Sequence, residues 1–177
     1  MNYKKVWQAT QPYMWARRNN IHIPICYHYA EQLVEAHPEC DPDVVLLGIM
    51  LHDLGWATVD QEKITAKVLG TRVTDVRIQH EKEGARIAKE ILDGCGYPKS
   101  LTDEICAIID GHDTRLEALS LNDSLVKDAD KLWRFNPIGI TVATEWFEWT
   151  PARYAAKVET TGVFDAAAAA AARCAAG

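Results

Sequence analysis

The stretch DPDVVLLGIMLHD at residues 41–53 decides the fold of this protein. Its first three residues predict a helix start, because aspartate caps free amide groups, proline fits the first turn, and an acid stabilises the positive end of the helix dipole. The run from Val44 to Leu54 is so apolar that we expect this helix at the centre of the core. Val45, Ile49 and His52 lie at i, i+4 and i+7, so its inward face ends in a histidine.

The hydrophobic pattern is helical along most of the remaining chain, and no segment of useful length alternates as a strand would. The pattern therefore predicts an all-α fold. Asn19-Asn20 is expected to break the chain after an opening helix, and Pro24 is expected in the first turn of the next one. The predicted helices cover residues 3–18, 24–37, 44–54, 75–94, 100–109, 121–133 and 140–157.

Length and composition are those of one globular domain. The chain has 177 residues, of which 48% are hydrophobic and 25% charged, enough to bury a core unaided. We expect a single domain over residues 1–160 and an alanine-rich tail over 161–177 that has little apolar surface to pack. The formal net charge of −6 argues against a duplex nucleic acid as partner, whereas a small phosphorylated substrate remains compatible if a metal supplies positive charge.

Cysteine usage and the N-terminus predict a cytoplasmic protein. The five cysteines are odd in number and form no C-x-x-C pair, which favours free thiols over a disulfide framework. The N-terminus lacks the apolar run of a signal peptide, and no stretch approaches the ~18 apolar residues of a membrane span.

Histidines and acids on several predicted helices point to a metal site. A helix as apolar as 44–54 has little reason to end in His52-Asp53 unless something binds them, because an unpaired buried carboxylate costs several kcal/mol. A single histidine on an apolar face is more often an ordinary buried residue. One such side chain on each of five helices is a stronger signal, and the further candidates are His28, His80, His112 and Asp130.

The motifs that carry these residues resemble a known family. MLHDLG at 50–55 resembles the signature of the HD-domain metal phosphohydrolases, and His28 upstream with Asp130 in KDADKL at 127–132 completes the pattern H…HD…D. HEKEGA at 80–85 and IIDGH at 108–112 resemble the binuclear branch. The resemblance covers residues 22–134 and implies a compact bundle of about six helices.

The resemblance also implies a metal centre and a reaction. Positions matching His28, His52, Asp53 and Asp130 would hold one ion, those matching His80 and His112 a second, and Asp53 would bridge the two. The ions would be divalent or mixed-valent, with iron first and manganese, magnesium or zinc as alternatives. The expected activity is hydrolysis of a phosphomonoester or nucleotide by a metal-activated water, with His52 and Asp53 as the catalytic residues.

Two positions depart from the family pattern. Trp56 stands where some di-metal relatives place a lysine soon after His-Asp, so a phosphate-holding cation is missing or comes from elsewhere. Asp128 is a rival to Asp130. Two candidate substrate-binding residues, Lys131 and Arg77, come from a larger set of cations that also includes Arg72, Lys82, Arg86, Lys127 and Arg134. The third candidate is His22, which lies just before the predicted helix that carries His28 and would line the pocket mouth.

Two other functions use the same residues. One is a mixed-valent di-iron oxygenase of the HD superfamily that cleaves a C–C or C–P bond, because its ligand set is the same. The other is a non-catalytic regulatory module that binds metal. The sequence leaves the substrate open, and also whether the chain forms a homo-oligomer.

Overall fold

A computed structural model describes residues 2–60 and 73–160. Every regular element in these two ranges is helical, which confirms the all-α class. The predicted tail at 161–177 and Arg72 lie outside the described residues. The α-helices of the described ranges are α1 (Tyr3–Thr10), α2 (Asn19–Ala36), α3 (Pro42–Leu51), α4 (Val73–Cys95), α5 (Lys99–Ile109), α6 (Leu121–Leu132), α7 (Pro137–Phe147) and α8 (Pro151–Thr160).

Helix α3 is the centre of the bundle, as its composition predicts. The Asp41 side chain accepts hydrogen bonds from the amides of Asp43 and Val44 at 2.9 and 3.4 Å, which caps the helix start. Most of its side chains are buried, and it packs against α2, α5 and α6. The helix ends at Leu51 rather than Leu54, so His52 and Asp53 lie in the turn where the chain leaves the core.

The N-terminal part of the chain corrects two predicted boundaries. One helix over 3–18 is wrong: α1 ends at Thr10, before Pro12, and short 3-10 turns follow. A break at Asn19-Asn20 is also wrong, because α2 begins at Asn19. Pro24 lies inside α2, where it removes a single intrahelical hydrogen bond near the helix start.

The predicted helix over 140–157 is two helices. Helix α7 ends at Phe147, and Glu148 adopts a left-handed conformation with φ of 50°. Pro151 then opens α8, because proline fits a first helical turn but disrupts a helix interior.

A close contact between two glycines brings α4 against the turn after Asp53. A Cβ atom on Gly55 would lie 1.9 Å from the His80 carbonyl oxygen and 2.5 Å from the Gly84 amide nitrogen. A Cβ atom on Gly84 would lie 3.2 Å from the His52 carbonyl oxygen. Only glycine at position 55 therefore allows this approach, which carries His80 to the end of α3.

Two further findings concern the residues that the structure describes. Among them, no helix has both the length and the apolar character needed to cross a bilayer. The cysteines in these ranges (Cys26, Cys40, Cys95 and Cys106) are free thiols.

The glycine contact can be tested by adding one methyl group. Gly55→Ala should destabilise the protein by at least about 1–3 kcal/mol, since the new atom meets rigid backbone on α4. Urea unfolding followed by circular dichroism measures the change. Gly94→Ala is the matched control, because nothing lies within 4 Å of its added Cβ. Equal stability of the two variants would contradict the close packing.

Candidate metal centre

Six side chains from five parts of the fold meet at the end of α3. Their imidazoles and carboxylates form three overlapping groups, and within each group the candidate ligand atoms lie within 4.8 Å of one another. Asp113 belongs to the third group, with His80 and His112. The histidine rings are almost completely buried. The residues are His22 of α2, His52 and Asp53 after α3, His80 of α4, His112 after α5 and Asp130 of α6.

The first half of the cluster contains His22, His52 and Asp130. The Nε2 atoms of His22 and His52 are 3.1 Å apart. Oδ1 of Asp130 lies 3.3 Å from the first of these nitrogens and 3.6 Å from the second. Ligands bound at right angles about 2.1 Å from an ion would be about 3.0 Å apart, so these spacings are close to those of a metal site.

The second half contains His80 and His112, and Asp53 lies between the halves. The Nε2 atoms of these two histidines are 3.4 Å apart. Oδ1 of Asp53 lies 3.6 Å from Nε2 of His80 and 3.4 Å from that of His112. Its other oxygen, Oδ2, lies 3.4 Å from Nε2 of His22. One carboxylate thus presents an oxygen to each half.

Backbone carbonyls fix which nitrogen of two rings faces the cluster. Nδ1 of His52 donates to the Ile49 carbonyl at 2.8 Å, and Nδ1 of His112 donates to the Ile109 carbonyl at 2.9 Å. A carbonyl can only accept, so each Nδ1 carries the hydrogen. When either ring is neutral, its Nε2 lone pair therefore points inward, which is the form that binds metal.

Trp56 orients His80 and Asp53. Its indole stacks on the His80 ring with centroids 4.0 Å apart and planes 15° apart. Its Nε1 donates to Oδ1 of Asp53 at 2.9 Å. The tryptophan that replaces a lysine in the sequence pattern is thus a buried support for two candidate ligands.

Electrostatics keep negative charge inside the cluster. Burial opposes ionisation of Asp53 and Asp130, but the histidines around them hold both pKa values well below the ordinary range. Burial also opposes a charge on His112, yet its hydrogen bond to Asp53 and the charge of Asp113 raise its pKa to about 9. Burial and the nearby His112 lower the pKa of His80 to about 3. Two buried carboxylates are therefore ionised at neutral pH and require cations beside them.

Glu81 holds the loop that carries His112. Its Oε1 accepts from the backbone amides of Asp113 and Thr114, both at 2.8 Å, and its Oε2 accepts from the Thr114 hydroxyl at 2.7 Å. Glu81 thus binds the loop and not an imidazole, whereas Oδ2 of Asp113 lies 3.8 Å from Nε2 of His80.

The structure does not bring His28 to the cluster, which corrects the predicted ligand set. His28 is exposed, and its Nε2 lies 3.1 Å from the Gln32 side-chain nitrogen. His22 takes the expected place. Because α2 begins at Asn19, His22 begins a buried stripe of α2 that continues through Cys26, Ala30 and Leu33. That spacing of 4, 4 and 3 residues was the signal available in the sequence, and His28 lies off the stripe.

The other predicted positions divide between the site and its surroundings. Asp130, rather than Asp128, faces the histidines. Arg77 is at the edge of the centre, with Nε 3.8 Å from Oδ2 of Asp113. Lys131 lies 3.9 Å from an oxygen of Asp128, which is outside the cluster.

Four imidazoles and two carboxylates suit iron, manganese or zinc, and their converging nitrogen and oxygen atoms fit a metal centre. A model of the HD domain matches residues 21–134, the segment that supplies all six side chains. The chain belongs to the HD domain family. No curated protein and no solved structure matches it closely enough to add a relative.

The choice of His22 over His28 within this HD domain is directly testable. His22→Ala should lose one of the two expected ions, because it removes an inward Nε2. His28→Ala, on the exposed side of the same helix, should keep full metal content. Elemental analysis of both purified variants gives the stoichiometry. Loss of metal from the His28 variant alone would show that His28, and not His22, is the ligand.

Proposed function

We propose that this HD-domain protein is a metal-dependent phosphohydrolase that acts on a small phosphorylated substrate, a phosphomonoester or a nucleotide. The observation that supports the proposal is the position of Asp53, whose two oxygens face different halves of the histidine cluster. A carboxylate in this position suits a bridge between two ions. Membership of the HD family, in which metal-dependent phosphohydrolysis is the general activity, supports the same conclusion.

The residues of the chain prepare the centre for such a reaction. Bound ions would supply an activated water and offset charge on the phosphoryl oxygens. The hydrogen bond from His52 to the Ile49 carbonyl holds the His52 ring in place. The hydrogen bond from the Trp56 indole holds the Asp53 carboxylate. Glu81 holds the loop that carries His112 in place, which supports the second half of the centre.

We further propose two ions, with iron as the first choice and manganese, zinc or magnesium as alternatives. Each half contains two imidazoles, and Asp53 is the carboxylate that both halves share. A set of ligands rich in histidine favours iron or zinc over magnesium. Location in the cytoplasm stays a prediction of the sequence. Arg77 stays a proposed substrate-contacting residue at the edge of the centre.

Removing the shared carboxylate tests the proposal. Asp53→Ala should lower kcat/KM by more than ~100-fold and remove most bound metal, because residues that merely support a ligand already cost 10–100-fold. The assay uses a panel of phosphomonoesters and nucleotides, with metal content measured in parallel. Asp103→Ala, an exposed acid on α5, is the control and should match the parent protein. Full activity in the Asp53 variant would contradict the site.

An oxygenase of the HD superfamily is the second candidate, favoured by the tryptophan at position 56 in place of a lysine. The two chemistries differ in their need for dioxygen. We expect turnover of the best phosphorylated substrate to be unchanged under strict anaerobiosis, with release of one phosphate per substrate cleaved. Loss of turnover without oxygen, together with oxygen uptake when it is restored, would replace the hydrolase by the oxygenase.

A further inference from the structure

Arg17 lies beside the metal centre although it precedes the segment that matches the HD domain. Its guanidinium carbon is 4.2 Å from the centroid of a Trp56 ring. The same indole donates to Oδ1 of Asp53 and stacks on His80. A cation is therefore held one aromatic ring away from the candidate bridging carboxylate.

The backbone directs Arg17 inward and its neighbour outward. Arg17 and Arg18 have φ values of 47° and 59°, a left-handed conformation that is unfavourable for arginine. Arg18 extends to the surface, where its guanidinium lies 3.4 Å from Glu145. Arg17 instead packs on the buried Trp56. Strain of this kind persists where the surrounding structure holds it, and it concentrates at functional sites.

A second arginine approaches from the C-terminal end of the segment that matches the HD domain. Arg134 lies in the turn after α6, and its guanidinium is 3.6 Å from Oδ2 of Asp130. Burial lowers the pKa of Arg17, while Asp53 and Asp113 favour its charged form and Arg134 opposes it. Both arginines thus interact with carboxylates at or beside the centre.

Charge balance indicates what these arginines face. Asp53, Asp113 and Asp130 are matched in number by the guanidinium groups of Arg17, Arg77 and Arg134. Metal ions bound among the histidines would add positive charge that no further carboxylate of this set offsets. A centre in that state attracts an anion, and a planar guanidinium group suits the oxygens of a phosphate.

We propose that Arg17 and Arg134 form the anion-binding side of the centre and contact the phosphate oxygens of the substrate. The proposal rests on the proposed function for the turnover of that substrate, but binding of phosphate itself does not require turnover. Arg17 precedes the matched HD segment, so the N-terminal region of the chain contributes to this side of the site.

Binding of inorganic phosphate to the metal-loaded protein tests the assignment. Isothermal titration calorimetry should give at least a ~10-fold weaker Kd for Arg17→Gln, because a charged hydrogen bond contributes about that much or more. The Kd of Arg17→Lys should lie between those of the parent protein and Arg17→Gln. Arg134→Gln should weaken phosphate binding as well. Arg18→Gln is the matched control, with the same charge change and backbone conformation at an exposed position.

Metal content is measured in every sample, so that phosphate contacts are separated from support of the centre. Weaker phosphate binding by Arg17→Gln with unchanged metal content upholds the proposal. Equal phosphate affinity in the Arg17 and Arg18 variants overturns it, and so does loss of metal from Arg17→Gln or absence of phosphate binding by the parent protein. Turnover is assayed separately: Arg17-dependent phosphate binding without hydrolysis would refute the proposed function and leave this inference standing.

Discussion

Asp53 and Asp130 are ionised inside the protein, and this is the constraint on which the rest of the site depends. Removing a lone carboxylate from water costs several kcal/mol, and the cost falls only if hydrogen-bond donors or cations surround it. Here four imidazoles do so, each from a different element. The bundle can therefore close only in a register that brings these elements to the end of α3, and bound ions would stabilise that register further.

The backbone satisfies this constraint by two devices that do not involve the ligands' own chemistry. Gly55 and Gly84 let α4 approach the turn after Asp53, which sets the position of His80. Glu81, the next residue on the same helix, ties down the loop after His112. One helix thus positions both histidines of the second half, the first directly and the second through a carboxylate.

The sequence predicts the helical class, the central helix and most of the cluster, because those signals are local. Apolar periodicity and the cap at Asp41 locate α3, and the family motifs identify five of the six residues that meet. The error at His28 has one cause. A helix with Pro24 in its first turn excludes His22, whereas α2 begins at Asn19 and its buried stripe passes through His22. A ligand assignment is only as good as the helix start that sets its phase.

Local sequence patterns do not predict contacts between distant segments of the chain. Nothing near Arg17 in the sequence indicates that it packs on Trp56, since the pairing depends on two left-handed residues and on a turn far along the chain. The role of Glu81 is of the same kind, because its partners are backbone amides of another loop. The sequence identifies residues whose chemistry suits a site, whereas the contacts that these residues make follow from tertiary packing.

The aromatic neighbours of the cluster give each half its own optical reporter. Trp56 stacks on His80, and the ring of Trp133 meets that of His22 edge-on with centroids 4.5 Å apart. Near-ultraviolet circular dichroism depends on such fixed aromatic packing. Occupation of either half would thus perturb a different indole, and the order in which ions enter could be followed by spectroscopy without any added chromophore.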